Sequence, residues 1–166
     1  MKCITRSAGI VAFVCLSVVA SVSAQRRELP QSLGRLSLVK TLEGKDAKAS
    51  VDQLHQKAVA PKSSVTGEYE GGNRSATLYA SLYYSQREAK AAGSRMMQLI
   101  GGGNRVFGHY SEQHHGRLLI GRCVGLGQIH YLFQQGERVF WLSVDPLLES
   151  EVLEGLLKFV LPANEQ

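Results

Sequence analysis

From Lys45 onward the apolar residues Ala47, Val51 and Leu54 recur at helical spacing, while Lys48, Asp52 and Gln53 take the opposite side. That pattern predicts a short amphipathic helix over "KDAKASVDQLHQ", closed by Pro61 and the polar "KSS". The pattern then changes period. In "TGEYEGGNRSATLYASLYYS", Ala76, Leu78, Ala80, Leu82 and Tyr84 alternate with Thr77, Tyr79, Ser81 and Tyr83, and Gly71, Gly72 and Asn73 mark a turn. A hairpin with a long second strand follows from this. Ser85 and Glu88 have capping-box spacing, Ala89, Ala92, Met96, Leu99 and Ile100 share a helical face, and Gly101 suits a helix end, so a second helix is expected over 86–100.

Four short β-like runs come next: "NRVFGHY", "RLLIGRC", "QIHYLFQ" and "RVFWLSV", joined by "SEQHHG", "VGLG" and "QGE". Glycine-bearing connectors of this length read as hairpin turns. Asp145 and Pro146 then make a helix start, with Leu148, Val152, Leu156 and Phe159 on its buried face. Residues 65–100 and 126–160 share the order strand, turn, strand, capped helix, which allows a strand-strand-helix pseudo-repeat. The expected fold class is α+β, an antiparallel meandering sheet with its helices on one face.

The first 24 residues lack this patterning. Lys2 and Arg6 precede the apolar run "AGIVAFVCLSVVA", and "SVSA" ends in small residues, the layout of a cleaved signal peptide. The run is shorter than the ~20 residues a membrane-spanning helix needs, so no membrane anchor is expected after cleavage. Phe13 and Val14 before Cys15 speak against lipid attachment. The expected organisation is a signal peptide at 1–24, an N-terminal arm and short strand at 25–44, and a single α+β domain at 45–166, with the protein periplasmic or secreted.

Removing the leader leaves 142 residues with Cys123 as the sole cysteine, so stability must come from the core instead of an internal disulfide. The formal charge falls from +5 to about +3, and the basic residues are scattered, which argues against a nucleic-acid partner.

Candidate chemistry centres on "GHYSEQHHG", which holds three of the five histidines. With Glu112 and Gln113 at a two-residue turn, His109 and His114 become diagonal neighbours on one face, about 7–8 Å apart. Two co-facial imidazoles with Glu112 projecting from the tip make an exposed, loose metal site, because zinc takes three or four ligands. Metal binding by His109, His114 and His115 is therefore the alternative reading. His130 lies mid-strand with Gln128, Leu132 and Gln134, on a face expected to be outer or groove-facing, and His55 falls at a helix C-terminus where the dipole favours a cation. Cys123 shows no adjacent base and reads as a buried structural thiol. "GGG" at 101–103 follows a helix, and "GRCVGLG" at 121–127 opens none, so neither cradles a phosphate. "NRS" at 73–75 matches a glycosylation acceptor by chance composition.

Tyr79 and Tyr83 project opposite Leu78, Leu82 and Tyr84, and on an uncovered sheet face their amphipathic rings would serve ligand or partner contact. The stretches "LEGKDAKASVDQLHQKAV", "GEYEGG" and "ATLYASLYYS", with Met97 ahead of "GGGNRVFG", resemble small exported bacterial proteins of unknown function. That group has no assigned catalytic residues, so the resemblance implies an exported domain and nothing more. The expectation is an exported, non-enzymatic binding module without cofactor, taking an unidentified protein or small ligand on Tyr79, Tyr83 and His130.

Overall fold

The computed structural model describes residues 28–55, 61–103 and 105–161, with the side chains of Leu54 and His55 outside the description. The expected signal peptide with its cleavage site and the expected capping role of His55 therefore lie outside the described residues. Eight strands form one antiparallel sheet: β1 (Ser32–Leu33), β2 (Leu36–Glu43), β3 (Ser63–Gly71), β4 (Arg74–Leu82), β5 (Phe107–His115), β6 (Leu118–Gly125), β7 (Gln128–Gln135) and β8 (Arg138–Val144). Their spatial order is β1-β2-β3-β4-β8-β7-β6-β5. Helix α1 (Gly44–His55) joins β2 to β3, α2 (Gln86–Gly101) joins β4 to β5, and α3 (Glu149–Val160) follows β8 through a 3₁₀ turn at Pro146–Leu148. The sheet is a curled half-barrel.

The expected helix positions hold because their local signals are sufficient. Ser85 Oγ accepts from the Glu88 amide at 3.2 Å to start α2, and the Asp145 carboxylate accepts from the Leu147 amide at 2.9 Å before Pro146 opens the 3₁₀ turn.

The expectation of helices on one face is overturned. Adjacent residues of β7 and β8 divide between two cores: Phe133, Phe140 and Leu142 pack with Val152, Leu156 and Leu157 of α3, whereas Leu132, Val139 and Trp141 pack with Ala89, Met97 and Ile100 of α2. Helix α1 lies on the α2 side, since its Ser50 hydrogen-bonds Tyr79. Both faces are thus covered. The pseudo-repeat fails for a related reason. β4 and β8 pair antiparallel at the centre, and a two-fold relating them would put their following helices on the same face, yet α2 and α3 take opposite faces.

The N-terminal arm belongs to the core. Leu29, Leu33 and Leu36 are buried, and the Tyr69 hydroxyl donates to the Pro30 carbonyl at 3.0 Å. The first turn of α3 is held from two sides. Arg35, in the β1–β2 turn, donates to Glu151 at 2.7 Å, and Arg122 of β6 donates to Glu149 at 2.7 and 3.3 Å. β2 and β6 stand five strand spacings apart in the sheet order, about 24 Å on a flat sheet, so the curl is what lets one helix receive both arginines. Tyr131, paired with Arg122 across β6 and β7, donates its hydroxyl to the same Glu149 carboxylate. Arg122 holds that carboxyl below the usual range, against the opposing effect of burial.

Candidate functional site

His130 is buried beneath the α2 side of the sheet, contrary to the outer or groove-facing position expected of it. The strand alternation does place it with Leu132, but Phe107 and Trp141 close over it edge-on, with ring centroids 4.9 and 5.7 Å away. The Trp141 indole N–H donates to His130 Nδ1 at 3.1 Å, so Nδ1 is the unprotonated nitrogen and Nε2–H donates to the Gly125 carbonyl at 2.9 Å. Burial lowers the histidine pKa from 6.5, opposed by the Gly125 hydrogen bond.

Cys123 pairs with His130 across β6 and β7. The pairing resembles a thiol–imidazole dyad in one dimension only. Both ring nitrogens are engaged elsewhere, and burial pushes the thiol up to about 11 despite the opposing charge of Arg122. Cys123 and His130 are thus a neutral, packed pair.

Tyr79 and Tyr83 are half-buried against the α2 core, and burial raises both phenol pKa values. The uncovered tyrosine face expected from the alternation lies under α1 and α2.

The histidine-rich stretch also moves. β5 runs unbroken to His115, and the turn falls at Gly116 and Arg117, so Glu112 and Gln113 are strand residues. His109 sits in a bulge with φ +53°, where the register slips between Gly108 and Ser111. His109 and His114 are therefore separated along one strand and do not face each other across a turn. Among the described residues no group of three or more His, Cys, Asp or Glu side chains is placed to hold a metal ion.

A different site emerges where α2 crosses the ends of β6 and β7. Gln86, Lys90, Gly93, Ser94 and Met97 recur along one stripe of α2 and face Arg117, Leu119, Gln134 and Gln135 across a cleft of about 380 Å³. Gly93 permits the approach, for a Cβ there would stand 3.3 Å from Gln134 Cβ. The Gln134 amide donates to the Gly136 carbonyl within the β7–β8 turn. Met97 and Leu119 give the cleft an apolar part, and the amides and Ser94 a polar one. Lys90 and Arg117 enter no ion pair among the described residues, whereas Arg35, Lys40, Lys48, Arg74, Arg122, Arg138 and Lys158 all do. None of the residues lining the cleft is Asp, Glu, His or Cys. The sequence signal was available in part: Gln86, Lys90 and Ser94 stand at i, i+4 and i+8, a polar stripe beside the apolar one. Arg117 reads in the sequence as the start of a strand, and the cleft exists only because the β5–β6 and β7–β8 turns close on α2.

Among the described residues no helix is long and apolar enough to cross a membrane. No protein-family model, curated protein or solved structure matches this chain.

Proposed function

We propose that the protein is an exported, non-enzymatic binding module that holds a small anionic molecule in the cleft between α2 and the β5–β6 and β7–β8 turns. The observation that carries this reading is the pairing of Lys90 and Arg117 in one concavity with no acidic side chain lining it. Two cations in a partly enclosed site raise the local potential, and an arriving carboxylate or phosphate meets charge-assisted donors instead of water alone. The amides of Gln86, Gln134 and Gln135 supply orientation, while Met97 and Leu119 accept an apolar portion of the ligand. The volume is at the small end of ligand sites. Binding is favoured over catalysis because no Asp, Glu, His or Cys lines the cleft to activate the Ser94 hydroxyl. Export rests on the basic start, apolar run and small-residue exit of residues 1–24.

Titration calorimetry at low salt with inorganic phosphate and with small dicarboxylates tests the site and distinguishes the two anion sources. Binding is expected for at least one probe, weakening about tenfold or more in Lys90→Glu and Arg117→Glu and falling as salt rises. Heats that are absent, or unchanged by either charge reversal, would remove the proposal.

A further inference from the structure

β5 is an edge strand, with β6 on one side and no strand on the other among the described residues. Its residues Ser111–His115 are all exposed, and neither Pro nor Lys interrupts them. The bulge at His109 ends the regular stretch at one side and the Gly116 turn ends it at the other, leaving a five-residue window of open backbone donors and acceptors. We propose that this window pairs with the same window of a second copy of the chain, antiparallel and centred on Gln113.

The strand's own side chains select the partner and the register. Glu112 and His114 lie on the α2 face, opposite Gly121 and Leu119 of β6, whereas Gln113 and His115 lie on the α3 face, opposite Ile120 and Leu118. Residues directly opposite in an antiparallel pair share a face, so a two-fold between copies must pass through a residue and not between two. Centred on Glu112, the pairing would set two carboxylates against each other, which is unfavourable. Centred on His114, it would leave Glu112 beyond the strand, opposite the Gly116 turn. Centred on Gln113, it sets Glu112 against His114 of the second copy twice, Ser111 against His115 of the second copy twice, and Gln113 against itself. Each carboxylate then meets an imidazole donor, and each serine hydroxyl meets an imidazole. The Tyr110 hydroxyl already donates to Glu112 Oε1 at 2.7 Å, which fixes the carboxylate and leaves Oε2 for the opposing histidine. The histidine-rich stretch acquires a role that a metal does not supply.

The contact is small, so the dimer is weak and is to be sought by sedimentation at protein concentrations up to about 1 mM. His114→Glu places carboxylates against Glu112 at both positions and is expected to weaken association about tenfold, and the double exchange Glu112→His with His114→Glu is expected to restore it. Cysteine cross-linking reads the register directly. Gln113→Cys stands on the axis at a spacing a disulfide accepts, so it is expected to form a linked dimer under mild oxidation. Ser111→Cys and His115→Cys are each expected to remain unlinked alone and to link when mixed. Cys123 is buried and does not compete. A protein monomeric throughout, or a Gln113→Cys variant that links no faster than Ser111→Cys alone, would overturn the proposal.

Discussion

Trp141 donates its indole N–H to the unprotonated Nδ1 of His130, at 3.1 Å, inside the α2-side core where both residues are buried. The bond fixes the tautomer, and Gly125 takes the remaining proton donor at 2.9 Å. A histidine that stood out in the sequence as a contact residue is a satisfied core group, and its chemistry appears in stability.

Because the folded pKa of His130 lies below 6.5, both folded and unfolded chains carry it neutral above that pH. Below it the unfolded chain takes up a proton that the folded protein refuses, so stability falls by about 1.4 kcal/mol per pH unit until the folded pKa is reached. Urea denaturation between pH 7.5 and 5 (about the window in which an unperturbed histidine titrates) should show this decline, and His130→Gln should flatten it while lowering stability at neutral pH. An unchanged slope in the variant would assign the titration to another group.

Helix α3 passes so close to the β1–β2 turn that a Cβ on Gly155 would stand 2.9 Å from the Gly34 nitrogen and 3.4 Å from Leu33 Cα. Both are backbone neighbours that cannot rotate away. Gly155→Ala gains about 1 kcal/mol in helix propensity, but overpacking costs roughly 1–3 kcal/mol. A net loss of about 1 kcal/mol is expected by chemical denaturation. A stabilised variant would mean that α3 shifts freely over the turn.

Leu126 and Gly127 form the two-residue turn between β6 and β7, with φ of +52° and +76°. This primed turn suits Asn-Gly, yet a leucine stands there with 74% of its surface exposed. Leu126→Asn should relieve the backbone strain without losing packing and raise stability by roughly 0.5–1 kcal/mol, measured as the unfolding midpoint. Loss of stability on this change would show that the leucine contributes a contact.

The elements of the fold were legible because their causes are local. Ser85 with Glu88, Asp145 with Pro146, and the period-two runs of β4, β7 and β8 each act within a few residues, and their positions follow from the chain alone. The histidine stretch shows where that locality fails. Polar residues suit an exposed edge strand as well as a turn, and only pairing with β6 shows that the turn lies at Gly116. The cleft was legible in half, as the stripe Gln86, Lys90 and Ser94, because a stripe needs one helix and a cleft needs two walls.

Local patterning along the chain sets where the helices begin, where most of the strands lie and how side chains alternate along each strand. Which sheet face each helix covers is set by packing between distant segments. Alternation separates residues into two sets without saying which set meets which helix, and α2 and α3 carry similar apolar stripes. Their assignment depends on contacts between residues far apart in the chain: Trp141 with Ile100 and Phe107 on one side, and Glu149 with Arg122 and Tyr131 on the other.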